Sequence, residues 1–189
     1  MKIIVVQIGG IYSNSTLIFD NLYISTSGFT IYFPFVLLEA SNIPNFTLIL
    51  KNENTILVND LGNLAAANAF EFRGNTGNQF NIQGDGKLVI KVYLGKEGVY
   101  ESIGLEFLYT NLVIKENVKV EILMNDAQEL KGLRIFNGPL YMKRNSQLSV
   151  YIGKDRGSST GIECGGAYLS DNVTINSSLL NYDSTKSVP

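Results

Sequence analysis

Pairs of apolar residues separated by one polar residue recur along the whole chain, roughly once every thirty residues. The triplets are Val6-Gln7-Ile8, Leu38-Glu39-Ala40, Phe70-Glu71-Phe72, Leu105-Glu106-Phe107, Leu133-Arg134-Ile135 and Ile162-Glu163-Cys164, with centres 32, 32, 35, 28 and 29 residues apart. A second series keeps step: Leu22/Ile24, Leu48/Leu50, Phe80/Ile82, Leu112/Ile114, Leu140/Met142 and Ala167/Leu169. So does a third: Phe29/Ile31, Ile56/Val58, Leu88/Ile90, Val120/Ile122, Leu148/Val150 and Val173/Ile175. Spacing of two is the signature of strands with one face inward and one outward. The polar breaks, among them Gly74-Asn75-Thr76-Gly77-Asn78, Gly84-Asp85-Gly86 and Asn137-Gly138-Pro139, carry turn residues.

Each copy therefore reads as strand, bend, strand, bend, strand and a longer loop, which is one coil of a three-faced solenoid. Such coils bury their apolar faces only by stacking on one another. The expected fold is all-β, a single-stranded right-handed parallel β-helix of about six coils with three strands each. It spans residues 1–178, with 1–5 as an N-terminal cap and 179–189 as a tail or linker. An antiparallel sandwich also has many short strands, but hairpins would not hold three series in phase. Ile8, Ala40, Phe72, Phe107, Ile135 and Cys164 are expected to form one inward ladder. The variable stretches Asn59–Asn68, Tyr93–Ile103, Leu123–Lys131 and Gly153–Thr160 are expected as loops along one edge. Ala65-Ala66-Ala67 and Ala127-Gln128-Glu129-Leu130 are candidates for a helical turn there.

Composition narrows the chemistry. The 189 residues include 45% hydrophobic residues, enough for a packed core, and no histidine. Lacking histidine, the chain has no Ser/His or Cys/His pair and lacks the commonest general base and zinc ligand. Fifteen Lys+Arg against seventeen Asp+Glu give no basic footprint for nucleic acid. No apolar run is long enough for a transmembrane helix. The single cysteine, Cys164, falls at an inward position and reads as a structural thiol.

In the later half, Gly132-Leu133-Arg134-Ile135 precedes Leu140-Tyr141-Met142. Likewise Thr160-Gly161-Ile162-Glu163-Cys164-Gly165-Gly166 precedes Asn172-Val173-Thr174-Ile175. These strings resemble the β-helical carbohydrate-binding-domain repeats of bacterial secreted and cell-surface proteins. That family belongs to the pectin-lyase-like right-handed β-helix group. The resemblance covers about residues 20 to 178 and implies the β-helix, an extracellular or cell-surface location, and a carbohydrate or host-protein partner. It carries over no site residues. The chain departs from the family in being short and in holding large aromatic residues where small ones are common.

Candidate chemistry sits on the outward positions. Glu39, Glu71, Glu106, Arg134 and Glu163 form an expected outward ladder, with stacked neighbours about 4.8 Å apart. Three readings follow: a solvated face with Arg134 bridging Glu106 and Glu163, a cation site for an ion such as Ca²⁺, or a carboxylate pair at a retaining-glycosidase separation. No cofactor is otherwise expected. Outward tyrosines, above all Tyr93, Tyr100, Tyr141 and Tyr151, suit contact with sugars or proteins. With no catalytic signature, the chain reads as a non-catalytic, adhesin-like binding module. Its binding residues are Tyr93, Tyr100, Tyr141, Tyr151, Glu71, Glu106, Arg134 and Glu163. The alternatives are a polysaccharide lyase or glycoside hydrolase using the carboxylate ladder, or a structural spacer.

Overall fold

A computed structural model describes residues 4–7, 14–27, 36–39, 43–60, 66–94, 101–125, 127–153, 155–170 and 172–179. These residues form sixteen strands and no helix, numbered in chain order. The first face of each winding is made by β1 (Ile4–Gln7), β4 (Val36–Glu39), the start of β7 (Ala66–Gly84), the start of β9 (Glu101–Ile114), β11 (Ala127–Phe136) and β14 (Asp155–Glu163). The second is made by β2 (Asn14–Asp20), β5 (Asn45–Lys51), the later parts of β7 and β9, β12 (Leu140–Met142) and β15 (Ala167–Leu169). The third is a six-stranded sheet of β3 (Tyr23–Ser27), β6 (Glu53–Asp60), β8 (Lys87–Leu94), β10 (Lys119–Asn125), β13 (Gln147–Ile152) and β16 (Thr174–Leu179). The first two faces share one ten-stranded sheet, because β7 and β9 run around the corner between them.

Every pairing is parallel, so the fold is a β-solenoid and not a sandwich. Phe72, Phe107 and Ile135 line up as expected. They join an aromatic centre in which Phe72 and Phe80 lie 4.5 Å apart and Phe80 and Phe107 lie 5.0 Å apart. About four turns make up the packed solenoid, against the six expected. The reason is burial: from Val36 to Ile152 each winding has fully enclosed apolar side chains. Among residues 14–25 of the first winding only Phe19 is buried, and Ile162, Cys164, Val173 and Ile175 of the last are half-covered.

Glycine explains how closely the faces approach. Gly104, Gly132 and Gly161 occupy successive rungs of the first face. A Cβ on Gly104 would lie 2.5 Å from Ile122 Cγ2, and one on Gly132 would lie 2.2 Å from Val150 Cγ1. The glycine before each later triplet is thus the gap into which third-face side chains fit. At the corner between second and third faces, residues of successive windings take the left-handed conformation. These include Asn21, Asn52, Gly84, Glu116, Arg144 and Asn172. Asparagine and glycine tolerate that conformation best, which is why they punctuate the repeat.

Several expectations are corrected. In the first two windings, and again on the third face of the last, the register differs by two residues from that inferred: Leu38, not Ala40, pairs with Phe72, Ile56 pairs with Ile90, and Ile175, not Val173, pairs with Leu148. Glu39 therefore stands beside Arg73, not Glu71. Leu22 and Ile24 do not belong to the second face; that place is taken by β2, and Ile24 pairs with Ile56 on the third. The expected loops are mostly strand. β10 reaches Asn125 and β11 starts at Ala127, so residues 127–130 form no helical turn, and Ala66 and Ala67 lie in β7. The break at residues 74–78 survives as a register shift inside β7. Ile4 and Val5, assigned to a cap, are part of β1 and pair with β4. Leu179 pairs with Ile152 on β16, one residue beyond the expected end of the solenoid. Ile8, Ala40, Phe29 and Ile31 lie outside the described residues.

Candidate functional site

The outer side of the first face carries the rung order Leu37, Glu71, Glu106, Arg134, Glu163. Its two central carboxylates are not solvated, contrary to expectation: Glu71 is 3% exposed and Glu106 is 4% exposed. Alternation points them outward, but neighbouring rungs close over them. Arg73 Nε donates to Glu71, and Arg73 also reaches Glu39 at 3.3 Å. Asn68 Nδ2 donates to Glu106 Oε2 at 2.8 Å, while Arg134 lies 3.4 Å from the other oxygen of Glu106. Lys131 bridges Glu101 at 2.9 Å, Glu129 at 3.1 Å and Glu163 at 3.5 Å. Arg134 does connect Glu106 to Glu163, but its Nε, 3.9 Å from Glu163, has no hydrogen-bond acceptor.

Burial pushes the Glu106 carboxyl up to about 7; the neighbouring Glu71 charge adds to this, against the pull of Arg134. The hydrogen bond to Glu71 raises Arg73 above the ordinary arginine value. Lys131 is also raised: burial lowers it, and the bonds to Glu101 and Glu129 outweigh that effect. A half-protonated carboxyl one rung from a carboxylate has the composition of a glycosidase pair. Its enclosure opposes that use, since a glycosidic oxygen must come within hydrogen-bond reach of the acid.

The exposed chemistry is aromatic and lies further along. On the outer second face Tyr141 pairs with Tyr168, and their rings stack 4.9 Å apart at 15°. Tyr168 is 59% exposed, and Lys143 Nζ stands 5.8 Å from the Tyr141 ring centre. At the corner leading into this face, Tyr109 meets Phe136 edge-on at 5.5 Å, with the Arg134 guanidinium 5.4 Å from the Phe136 ring centre.

The expected binding residues do not form one site. Glu71, Glu106, Arg134 and Glu163 share the first face and Tyr141 is on the second. Tyr93 and Tyr151 are on the third, paired with Asn125 and Ser178 respectively. Tyr100 lies outside the described residues. Sequence reasoning left out Arg73, Lys131 and Phe136. Arg73 and Phe136 lie two residues beyond the outward Glu71 and Arg134, so period-2 alternation extended by one step would have found them; Lys131 shares its parity with the inward Leu133, and alternation gives no signal for it.

At the other end, Phe19, Leu22, Ile24, Val36, Leu38, Tyr23 and Ser25 line a cavity of about 600 Å³, with no charged group among the described lining residues. Among the described residues, no group of three or more His, Cys, Asp or Glu is placed to hold a metal ion. No helix among them is long and apolar enough to cross a membrane. Comparison with known protein families, curated proteins and solved structures finds no match.

Proposed function

We propose that this β-solenoid is a non-catalytic recognition module that binds carbohydrate or a protein partner through its outward aromatic rungs. The observation that carries the reading is the Tyr141–Tyr168 stack, with its two ring planes nearly parallel and Tyr168 exposed. Each ring covers one face of the other, and Tyr168, 59% exposed, keeps aromatic surface open to solvent that suits the apolar face of a sugar ring or an apolar side chain. The flanking Tyr109–Phe136 pair enlarges the aromatic surface toward the first face. Membership of the carbohydrate-binding-domain repeats and a cell-surface or secreted location are part of this proposal. They rest on the Gly-Leu/Ile phrases and the strands that follow them.

The carboxylate pair supports a structural role better than a catalytic one. Glu71 and Glu106 are enclosed and bound to Arg73, Asn68 and Arg134, which consumes the oxygen atoms that catalysis would use. A glycan array combined with an assay for new reducing ends tests both readings. Binding without turnover, weakened by Tyr168→Ala, is the expected result. Turnover that disappears in Glu71→Gln would replace the module with a hydrolase.

A further inference from the structure

The two end windings differ from the middle of the chain in charge. Residues 3–38 contain one charged residue, Asp20, and residues 164–182 contain one, Asp171, whereas residues 51–163 contain 26. β1, β2, β3, β15 and β16 hold no lysine, arginine or proline, and in β14 the charges Asp155, Arg156 and Glu163 stand at the strand's two ends. Asp20 is engaged within its own end of the solenoid, where its Oδ1 accepts from Asn52 Nδ2 of the next winding at 2.8 Å. Charge and proline are what keep exposed strand edges from pairing with other chains, and these edges carry almost none. Among the described residues, β1, β2 and β3 pair on one side only, with β4, β5 and β6. Likewise β14, β15 and β16 pair only with β11, β12 and β13. Inward positions at both ends lack cover: Leu169, in the column of the buried Met142, is 55% exposed, and Leu17, Leu22 and Ile24 are half-covered. Leu22 and Ile24 also line the apolar cavity at the first end.

We propose that the last winding of one chain seats on the first winding of a second copy, so that the parallel sheets run on from molecule to molecule. The ladder columns give the register. Met142, Ile114, Ile82 and Leu48 connect Leu169 to Leu17, and Val150, Ile122, Ile90 and Ile56 connect Ser177 to Ile24. Extending each column by one strand spacing, about 4.8 Å, sets Leu169 of one copy on Leu17 of the next and Ser177 on Ile24. On the outer side the same columns set Tyr168 beside Thr16 and Asn176 beside Tyr23. None of these contacts holds a charge. A second copy suits the edge better than a lone strand does, because β1 to β3 and β14 to β16 each supply one strand to every face and so match strand for strand. The two surfaces differ, so the contact is heterologous and propagates into a filament instead of closing.

Sedimentation velocity and negative-stain electron microscopy of the full chain test the proposal. Mass should climb with concentration from roughly 1 to 100 μM with no plateau at the dimer, and unbranched fibres one solenoid wide should appear. Leu169→Lys charges one edge and Leu17→Lys the other, so each variant alone should stay monomeric with its thermal transition retained. Mixed in equal amounts they should form a dimer and nothing larger, because each supplies the edge that the other lacks. Should either leucine variant lose its transition, Ser177→Lys and Ser15→Lys charge the same two edges. A parent that stays monomeric at the highest concentration overturns the proposal. Assembly unchanged in both single variants overturns it in favour of association through the flat faces. A dimer formed by either variant alone shows an edge pairing with its own kind and overturns the head-to-tail arrangement.

Discussion

At the scale of single residues, the enclosed Glu106 couples folding to pH. Its carboxyl is held at about 7, against an ordinary 4.5, chiefly by burial. The folded chain therefore holds this proton more tightly than the unfolded chain does. Its contribution to stability is fully present below about pH 4.5 and is lost as pH rises through 7. The gap corresponds to at most about 3 kcal/mol. Glu106→Gln keeps an oxygen to accept from Asn68 and removes the titration. Denaturation midpoints measured from pH 5 to 9 should fall for the parent and stay flatter for the variant, with the variant the more stable above pH 8. Parallel pH curves would mean that the carboxyl titrates normally. In the core, Phe72→Ala should cost about 3–5 kcal/mol, because it leaves a cavity among the Phe46, Phe80 and Phe107 rings packed against it. A loss below about 1 kcal/mol in chemical denaturation would contradict that packing.

At the scale of elements, the Gly104–Gly132–Gly161 rung sets the distance between the first and third faces. Gly132→Ala drives a methyl toward Val150 Cγ1 and to 2.7 Å from the Gly161 carbonyl. Overpacking of this kind costs about 1–3 kcal/mol. Adding Val150→Ala should relieve the side-chain clash and recover part of the loss, leaving the backbone clash in place. A double-mutant cycle with no coupling between the two positions would show that the faces do not meet there. The corner between the second and third faces obeys a different constraint. A Cβ on Gly84, at φ +116, would sit 2.3 Å from the Leu50 carbonyl oxygen, so conformation and space both demand glycine.

At the scale of the molecule, each winding is held only by its neighbours, so stability is graded along the axis. The third face shows the gradient: its inward ladder runs Ile24, Ile56, Ile90, Ile122, Val150 and then Ser177. Ile56, Ile90, Ile122 and Val150 are fully enclosed, whereas Ile24 is half-covered and Ser177 is exposed. Amide hydrogen exchange should accordingly be slowest in β8, β10 and β13 and faster toward β3 and β16. Uniform protection from β3 to β16 would indicate one cooperative unit instead.

The parallel solenoid, its three faces and the inward rung through Phe72, Phe107 and Ile135 were legible in the sequence, because alternation of apolar and polar residues is a local property. On the first and second faces even the register could be read from the third winding onward, since the phrases Phe70-Glu71-Phe72, Leu105-Glu106-Phe107 and Leu133-Arg134-Ile135 are distinctive; on the third face it slips again at the end, where Leu148 pairs with Ile175 and not with Val173. In the first two windings a slip of two residues leaves every side chain on its proper face. Alternation is blind to such a slip, and only packing against the next winding placed Leu38 on Phe72 and Glu39 beside Arg73. The same blindness hid the fate of the ladder carboxylates: pointing outward is a matter of parity, whereas being covered depends on Asn68, Arg73 and Arg134 arriving from other positions and rungs. It also hid the place of Tyr93, expected in a loop, which extends β8 on the third face away from Tyr141, since where a strand ends is decided by where the chain turns. Inside and outside thus follow from neighbours along the chain, while coverage, register and shared faces follow from neighbours across windings.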